Sequence, residues 1–244
     1  MAGIQVKNLT KKFYDLLVLD NISFEVADHD FMCIVGPTGC GKTTFLNSLT
    51  KLYDITAGEI LVDGEPVDLK KHNISYIFQE TSTMPWLSVE ENVGFGLQMK
   101  HVNKKKKQER VDEMLDIVGL TQFRKYYPAQ LSSSMLQRVA IARAFATKPD
   151  LLLMDEPYGQ LDIELRFKLE DELVKLWKAT GTTILFITHN IEEAVYLAEK
   201  ILVLTNKPTK VRELVADEIP RPRDIADPEF VDLRNRVTDL IKWW

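Results

Sequence analysis

Cysteine is scarce: only Cys33 and Cys40 occur among 244 residues. Two cysteines form neither a metal-binding set nor a disulfide framework, which excludes a thiolate metal centre and a cross-linked secreted scaffold. Long apolar runs are also missing. No stretch approaches the roughly 18–20 residues that cross a bilayer, so the sequence is not expected to span a membrane. The opening segment "MAGIQVKNLTKKF" has no apolar signal core, and with so few cysteines a reducing, cytoplasmic setting is the expectation. The net charge is only −5; without a basic excess to track a phosphate backbone, nucleic acid is not expected as a partner. Internal repeats and low-complexity segments are absent too. What remains is an ordinary globular composition, 45% hydrophobic, long enough for one large domain or one domain with an inserted lobe.

Apolar patterning supplies the first positive signals. "IQVKNLT" and "VLDNISFEV" alternate as half-buried strands do. "FMCIV" (Phe31 to Val35), "ISYIF" (Ile74 to Phe78), "LLLMD" (Leu151 to Asp155), "TILFIT" (Thr183 to Thr188) and "ILVLT" (Ile201 to Thr205) are short continuous apolar runs, the pattern of strands covered on both faces. "GEILVDGEPV" predicts a hairpin with Asp63-Gly64 in its turn. A helix pattern runs from about Lys42 to Leu52. From Pro85 to Ala146 the texture is mostly helical, opening on the capping box Ser88-Val89-Glu90-Glu91, with Gly119 closing a later helix. Buried strands alternating with helices predict an α/β domain with a mainly parallel sheet, and the helical stretch is then an insertion. Lys104 to Lys107 reads as a solvated helix start. In the tail, Phe230, Leu233, Val237, Leu240, Ile241 and Trp244 share one helical stripe, expected to dock on the chain's own core.

The chemistry centres on "GPTGCGKTT", Gly36, Pro37, Thr38, Gly39, Cys40, Gly41, Lys42, Thr43 and Thr44. It matches G-x-x-x-x-G-K-[ST] between a buried strand and a helix, the context in which that pattern is specific. Its glycines let successive backbone N–H groups wrap phosphate oxygens. Lys42 is placed to reach the β- and γ-phosphates and Thr43 to ligate Mg²⁺. At the end of another strand, Asp155 is placed to hold that metal through water, and Glu156 to polarise an attacking water, which favours hydrolysis over transfer to an acceptor. His189 and Gln79 close two further strands and join the candidates for γ-phosphate, metal or water. A guanine-specific reading fails, because Asn206-Lys207-Pro208-Thr209 has Thr209 where N-K-x-D requires aspartate.

The order "GPTGCGKTT", Gln79, "LSSSM", "LLLMDEP", "GQLD" (Gly159 to Asp162) and His189 resembles the nucleotide-binding subunit of ABC transporters over almost the whole chain. "MPWLSVEENV" and "IPRPR" look like the importers for nitrate, sulfonates and taurine. The resemblance implies a P-loop NTPase core with an N-terminal antiparallel β subdomain and an inserted helical subdomain. Residues 1–84 would be the first part of the ATP-binding core, 85–146 the helical subdomain, 147–215 the rest of the core and 216–244 a tail with a helix. It further implies that Phe13 stacks on adenine, Gln79 links the metal site to the helical lobe, Glu156 is the catalytic base and His189 holds the γ-phosphate. Asp162 would cross between two subunits. ATP and Mg²⁺ are the implied ligands. The implied partners are a second copy of the subunit, an integral membrane permease at whose cytoplasmic face the chain sits, and indirectly an extracytoplasmic solute-binding protein. Exposed Trp86 and Leu87 are expected where the permease docks.

Two departures from the family pattern stand out. The stretch "LSSSMLQRVAIARA" (Leu131 to Ala144) opens a helix whose N-terminus faces, in this family, the γ-phosphate held by the other subunit. The pattern L-S-G-G keeps Leu131 and Ser132 here, but Ser133 and Ser134 replace both glycines. Their side chains crowd the phosphate or offer it new hydroxyls, so an ATP-binding regulatory or heterodimeric subunit with weak catalysis is the rival to a competent motor. The other departure, Asp28-His29-Asp30 in place of a glycine turn, is expected to act only locally. An ABC ATPase of DNA or ribosomes would carry coiled coils or tandem cassettes, and neither is present in this sequence.

Overall fold

The computed structural model describes residues 3–80, 82–159 and 163–241, apart from the side chain of Leu165. In chain order the elements are β1 (Ile4–Phe13), β2 (Leu16–Val26), β3 (Phe31–Val35), α1 (Lys42–Leu49), β4 (Ala57–Val62), β5 (Glu65–Pro66), β6 (Ile74–Ile77), α2 (Val89–Met99), α3 (Lys104–Ile117), α4 (Ser133–Ala146), β7 (Leu151–Asp155), α5 (Ile163–Thr180), β8 (Thr183–Ile187), α6 (Ile191–Leu197), β9 (Lys200–Leu204), β10 (Val211–Ala216) and α7 (Pro228–Ile241). They form two compact units, Met1–His72 with Thr183–Trp244, and Asn73–Thr182.

The first unit contains an antiparallel sheet in the order β2-β1-β4-β5. Ile4, Val6 and Leu9 of β1 point into its core, as the alternating sequence requires. In the β4–β5 hairpin, Asp63 and Gly64 both take positive φ, 54° and 76°, the conformation for which Asp-Gly is suited. The second sheet of this unit runs β10-β9-β3-β8. There β3 pairs in parallel with both β8 and β9, and β3 and β8 are buried at every position, matching their uninterrupted apolar sequences. α7 packs on α6, β9 and β10, burying Phe230 and Val237; this is the docking expected of the tail stripe, whose Trp244 lies outside the described residues.

In the second unit β6 and β7 run parallel, and α2, α3 and α4 pack on one another. The predicted capping box opens α2: the Ser88 hydroxyl accepts from the Glu91 N–H at 3.4 Å, and the Glu91 carboxylate accepts from the Ser88 N–H at 2.7 Å. Past α3 the chain reverses through Gly119 at φ 65°.

Two expectations are corrected here. α1 ends at Leu49 rather than near Leu52: the Thr50 hydroxyl bonds back to the Leu46 carbonyl and Lys51 turns left-handed at φ 56°, which leaves Leu52 60% exposed. "ISYIF" is not a fully buried strand, since β6 buries only Ile77. Beyond the expected elements, "VRELVA" forms β10, a strand whose only fully buried side chain is Val215; adjacent Arg212 and Glu213 interrupt its apolar pattern.

Candidate functional site

In the first unit the loop from Gly36 leaves the C-terminal end of β3 and enters α1. Gly41 is the N-cap of α1 with φ 118°, and a Cβ there would lie 2.9 Å from Val18 Cγ1; both the dihedral and the space demand glycine. Gly39 also has positive φ, 75°, but faces open space. A Cβ on Gly36 would come within 3.0 Å of the Leu204 carbonyl oxygen, so the backbone can pass that strand only without a side chain. The loop is therefore shaped as a cradle of bare backbone, half-buried at Pro37 and exposed at Thr38 and Gly39. The Lys42 side chain is buried and its ammonium donates to the carbonyls of Gly36 and Pro37, at 3.0 and 3.1 Å. Thr43 is exposed and Thr44 half-buried on the first turn of α1. Burial pushes the Cys40 thiol up from its ordinary pKa, which keeps it protonated and unreactive inside the loop.

Thr209, which entered the sequence reading only as the residue spoiling a guanine motif, braces this loop. Its hydroxyl donates to the Cys40 carbonyl, while its backbone pairs with Val18 and Asp20 at 2.9 Å each. Phe13 ends β1 half-buried, edge-to-face with Tyr53 at a centroid distance of 5.3 Å, and the Lys11 ammonium lies 4.5 Å from its ring centre while donating to the Asp54 carbonyl at 2.5 Å. Tyr53 and Thr209 carry no sequence signal because they act through contacts distant in the chain, and Lys11, two residues from Phe13, meets Asp54 only through the fold.

His189 is exposed, one residue beyond the end of β8 and its buried neighbour Thr188. Because β3 and β8 are adjacent and parallel, the phosphate loop and His189 emerge from the same sheet edge. The Thr188 N–H donates to the Ile34 carbonyl at 3.3 Å, and the Asn190 side chain caps α6 by accepting from the N–H groups of Glu192 and Glu193.

The second unit repeats this arrangement with β6 and β7. Gln79 follows β6 and is exposed, while Asp155 ends β7 and is buried, accepting from the Tyr76 hydroxyl at 3.4 Å. Glu156 has φ 44°, a left-handed backbone that non-glycine residues adopt at a cost and that concentrates at functional positions. No sequence pattern announces it. The opening stretch of α4 is a capped helix start: Ser132 is the N-cap, its hydroxyl accepting from the Met135 N–H at 3.3 Å and lying 2.9 Å from the Ser134 hydroxyl. Ser133 and Ser134 form the first turn and neither takes positive φ, so helical geometry accommodates both serines. Arg143 of the same helix donates to the Ser82 carbonyl and hydroxyl, at 2.7 and 2.8 Å, fastening the segment that follows Gln79. Trp86 is 73% exposed as expected, but Leu87 is half-buried, because fully buried Asn92 bonds the carbonyls of Met84 and Leu87 and pulls their loop inward. Asp162 lies outside the described residues.

A bare-backbone, lysine-bearing loop between a parallel strand and a helix is the form taken by the phosphate loop of P-loop nucleotide-binding proteins. Residues 19–159 match the ABC transporter family. An uncharacterised ABC transporter ATP-binding protein of Methanocaldococcus jannaschii is 40% identical over 98% of this chain and 91% of its own length. The aliphatic sulfonates import ATP-binding protein of Bacillus cereus is 39% identical over 97% of this chain and 93% of its own. A solved dimeric ATP-binding cassette, in a post-hydrolysis state bound to ADP and phosphate, superposes with a TM-score of 0.78 at 30% identity, covering 89% of this chain and all of that one. The chain belongs to the ABC transporter family, as an ATP-binding cassette with ATPase function. No described helix is long and apolar enough to cross a membrane.

Proposed function

We propose that this chain is the ATP-hydrolysing subunit of an importer for a small solute of the nitrate, sulfonate or taurine kind, working as a dimer beneath a membrane permease fed by an extracytoplasmic solute-binding protein. The observation that carries the reading is the bare-backbone cradle at Gly36–Thr44 with Lys42 held at its centre. Similarity to a sulfonate importer subunit supports the solute class, and similarity to a dimeric cassette supports the assembly.

The roles follow from position. Phe13 offers a ring face to adenine, a contact that favours a flat base without reading its edges. Lys42 exchanges its two carbonyl partners for β- and γ-phosphate oxygens, and the loop N–H groups of Pro37 to Thr44 other than proline's supply neutral donors. Thr43, Gln79 and Asp155, the last through water, are hard oxygen donors suited to Mg²⁺ and would hold it; when bound, that ion neutralises charge on the β- and γ-oxygens. Glu156 orients and deprotonates the attacking water, and His189 donates to the γ-phosphate. The N–H groups at the start of α4, with Ser132, Ser133 and Ser134, face the γ-phosphate bound by the partner copy, and Asp162 crosses the same interface. ATP thereby draws two copies together and hydrolysis releases them, a closure cycle that moves a permease seated near Gln79 and Trp86.

One observation favours the second reading, an ATP-binding regulatory or heterodimeric subunit with weak catalysis. The Ser132 hydroxyl already engages Ser134 and the Met135 N–H, so its availability to a partner's phosphate is reduced. Glu156→Gln separates binding from chemistry. The variant is expected to bind ATP as tightly as the parent and to lose turnover by at least about 100-fold. Parent turnover in that variant would refute the assignment of Glu156.

A further inference from the structure

Two arginines of the "IPRPR" segment converge on the C-terminal end of α6. The Arg221 guanidinium donates to the carbonyls of Tyr196 at 3.0 Å and Leu197 at 2.5 Å. Arg223 donates to Val195 and Ala198, both at 2.6 Å, and is paired with Asp217 at 2.9 Å. These are the carbonyls that a helix end leaves without intrahelical partners, and a cation is the favourable charge there. α6 has seven residues, so at about 1.5 Å per residue it is roughly 10 Å long. Its other end is the Asn190 cap, and the residue before that cap is His189.

Burying Arg223 and Asp217 is a poor route to stability, because desolvation offsets most of the attraction between them, and the best-attested return on such a pair is fixed geometry. Here the geometry fixed is that of α6. The strand end before His189 is anchored through Thr188 to β3, so with α6 held at its far end and packed on β3 and α7, only His189 and Asn190 lie between that strand and the helix. We propose that Arg221 and Arg223 are positioning residues: by clamping the C-terminal carbonyls of α6 they set where His189 stands at the sheet edge. This rests on the assignment of His189 to the γ-phosphate.

The test compares the parent, Arg221→Gln, His189→Ala and the double variant in Mg²⁺-ATP turnover, ATP affinity and amide hydrogen exchange of the apo protein over residues 189–193. Where Arg221→Gln does not fold, Arg221→Lys replaces it, since an ammonium cannot span two carbonyls as the planar fork does. The clamp predicts a loss of turnover in Arg221→Gln of about 10- to 100-fold, unchanged ATP affinity, faster exchange at 189–193 and no further loss when combined with His189→Ala. Parent turnover in Arg221→Gln beside a depressed His189→Ala overturns the clamp, as do multiplying losses in the double variant. If His189→Ala keeps parent turnover, the assignment of His189 fails instead, and exchange at 189–193 decides the clamp by itself: unchanged exchange overturns it.

Discussion

Gly41 and Gly39 show how two identical residues in one loop answer to different physics. At Gly41 the dihedral lies far from any region that L-residues favour, and an added Cβ would strike Val18. At Gly39 the φ of 75° is left-handed but no atom lies within 4 Å of an added Cβ. Alanine at 39 is therefore expected to cost about 1 kcal/mol of stability, and alanine at 41 about 2–3 kcal/mol, read from urea denaturation. Equal losses would mean that the wall behind Gly41 gives way. The motif itself was legible from the sequence because its glycines, lysine and threonine are contiguous. The brace behind it was not, since Thr209 reaches Cys40 across most of the chain, and the left-handed backbone at Glu156 has no signature in residue type.

Whole elements were legible wherever their periodicity was clean. The continuous apolar runs of β3, β7 and β8 predicted strands covered on both faces, and the Ser88–Glu91 pair predicted the start of α2. β10 gives no clean signal because adjacent Arg212 and Glu213 interrupt its apolar pattern, and the apolar sequence of β6 implies more burial than it has because its first three residues stand half-exposed. The segment connecting β10 to α7 holds a titration prediction. Burial raises the carboxyl of Asp217 from 3.8 to about 6, against the opposing charge of Arg223. A carboxyl whose pKa is raised on folding contributes stability that is fully present below the unfolded value and is lost as pH rises through the folded one. Asp217→Asn cannot titrate, so any advantage of the parent over the variant in melting temperature is greatest where the parent's carboxyl is protonated. The gap between the two melting temperatures should narrow as pH rises from about 4 through 6. A gap that widens over that range would contradict the raised carboxyl.

At the scale of the molecule, each compact unit brings its own candidates to the C-terminal edge of neighbouring parallel strands: the phosphate loop and His189 in one, Gln79 with Asp155 and Glu156 in the other. The ABC family was legible in the sequence from the order of these motifs, and the match over residues 19–159 agrees with it. A solute is not legible in the sequence, because in the proposed role the chain has no contact with it. The proposed trans contribution of the start of α4 carries a kinetic signature. The central measurement is Mg²⁺-ATP turnover across a range of protein concentrations, for the parent and for the Ser133→Gly, Ser134→Gly double variant. The proposed dimeric motor predicts activity that rises more steeply than protein concentration, with little gain from the glycines. Turnover strictly proportional to protein down to nanomolar concentration, or negligible turnover restored only by the glycines, would contradict it.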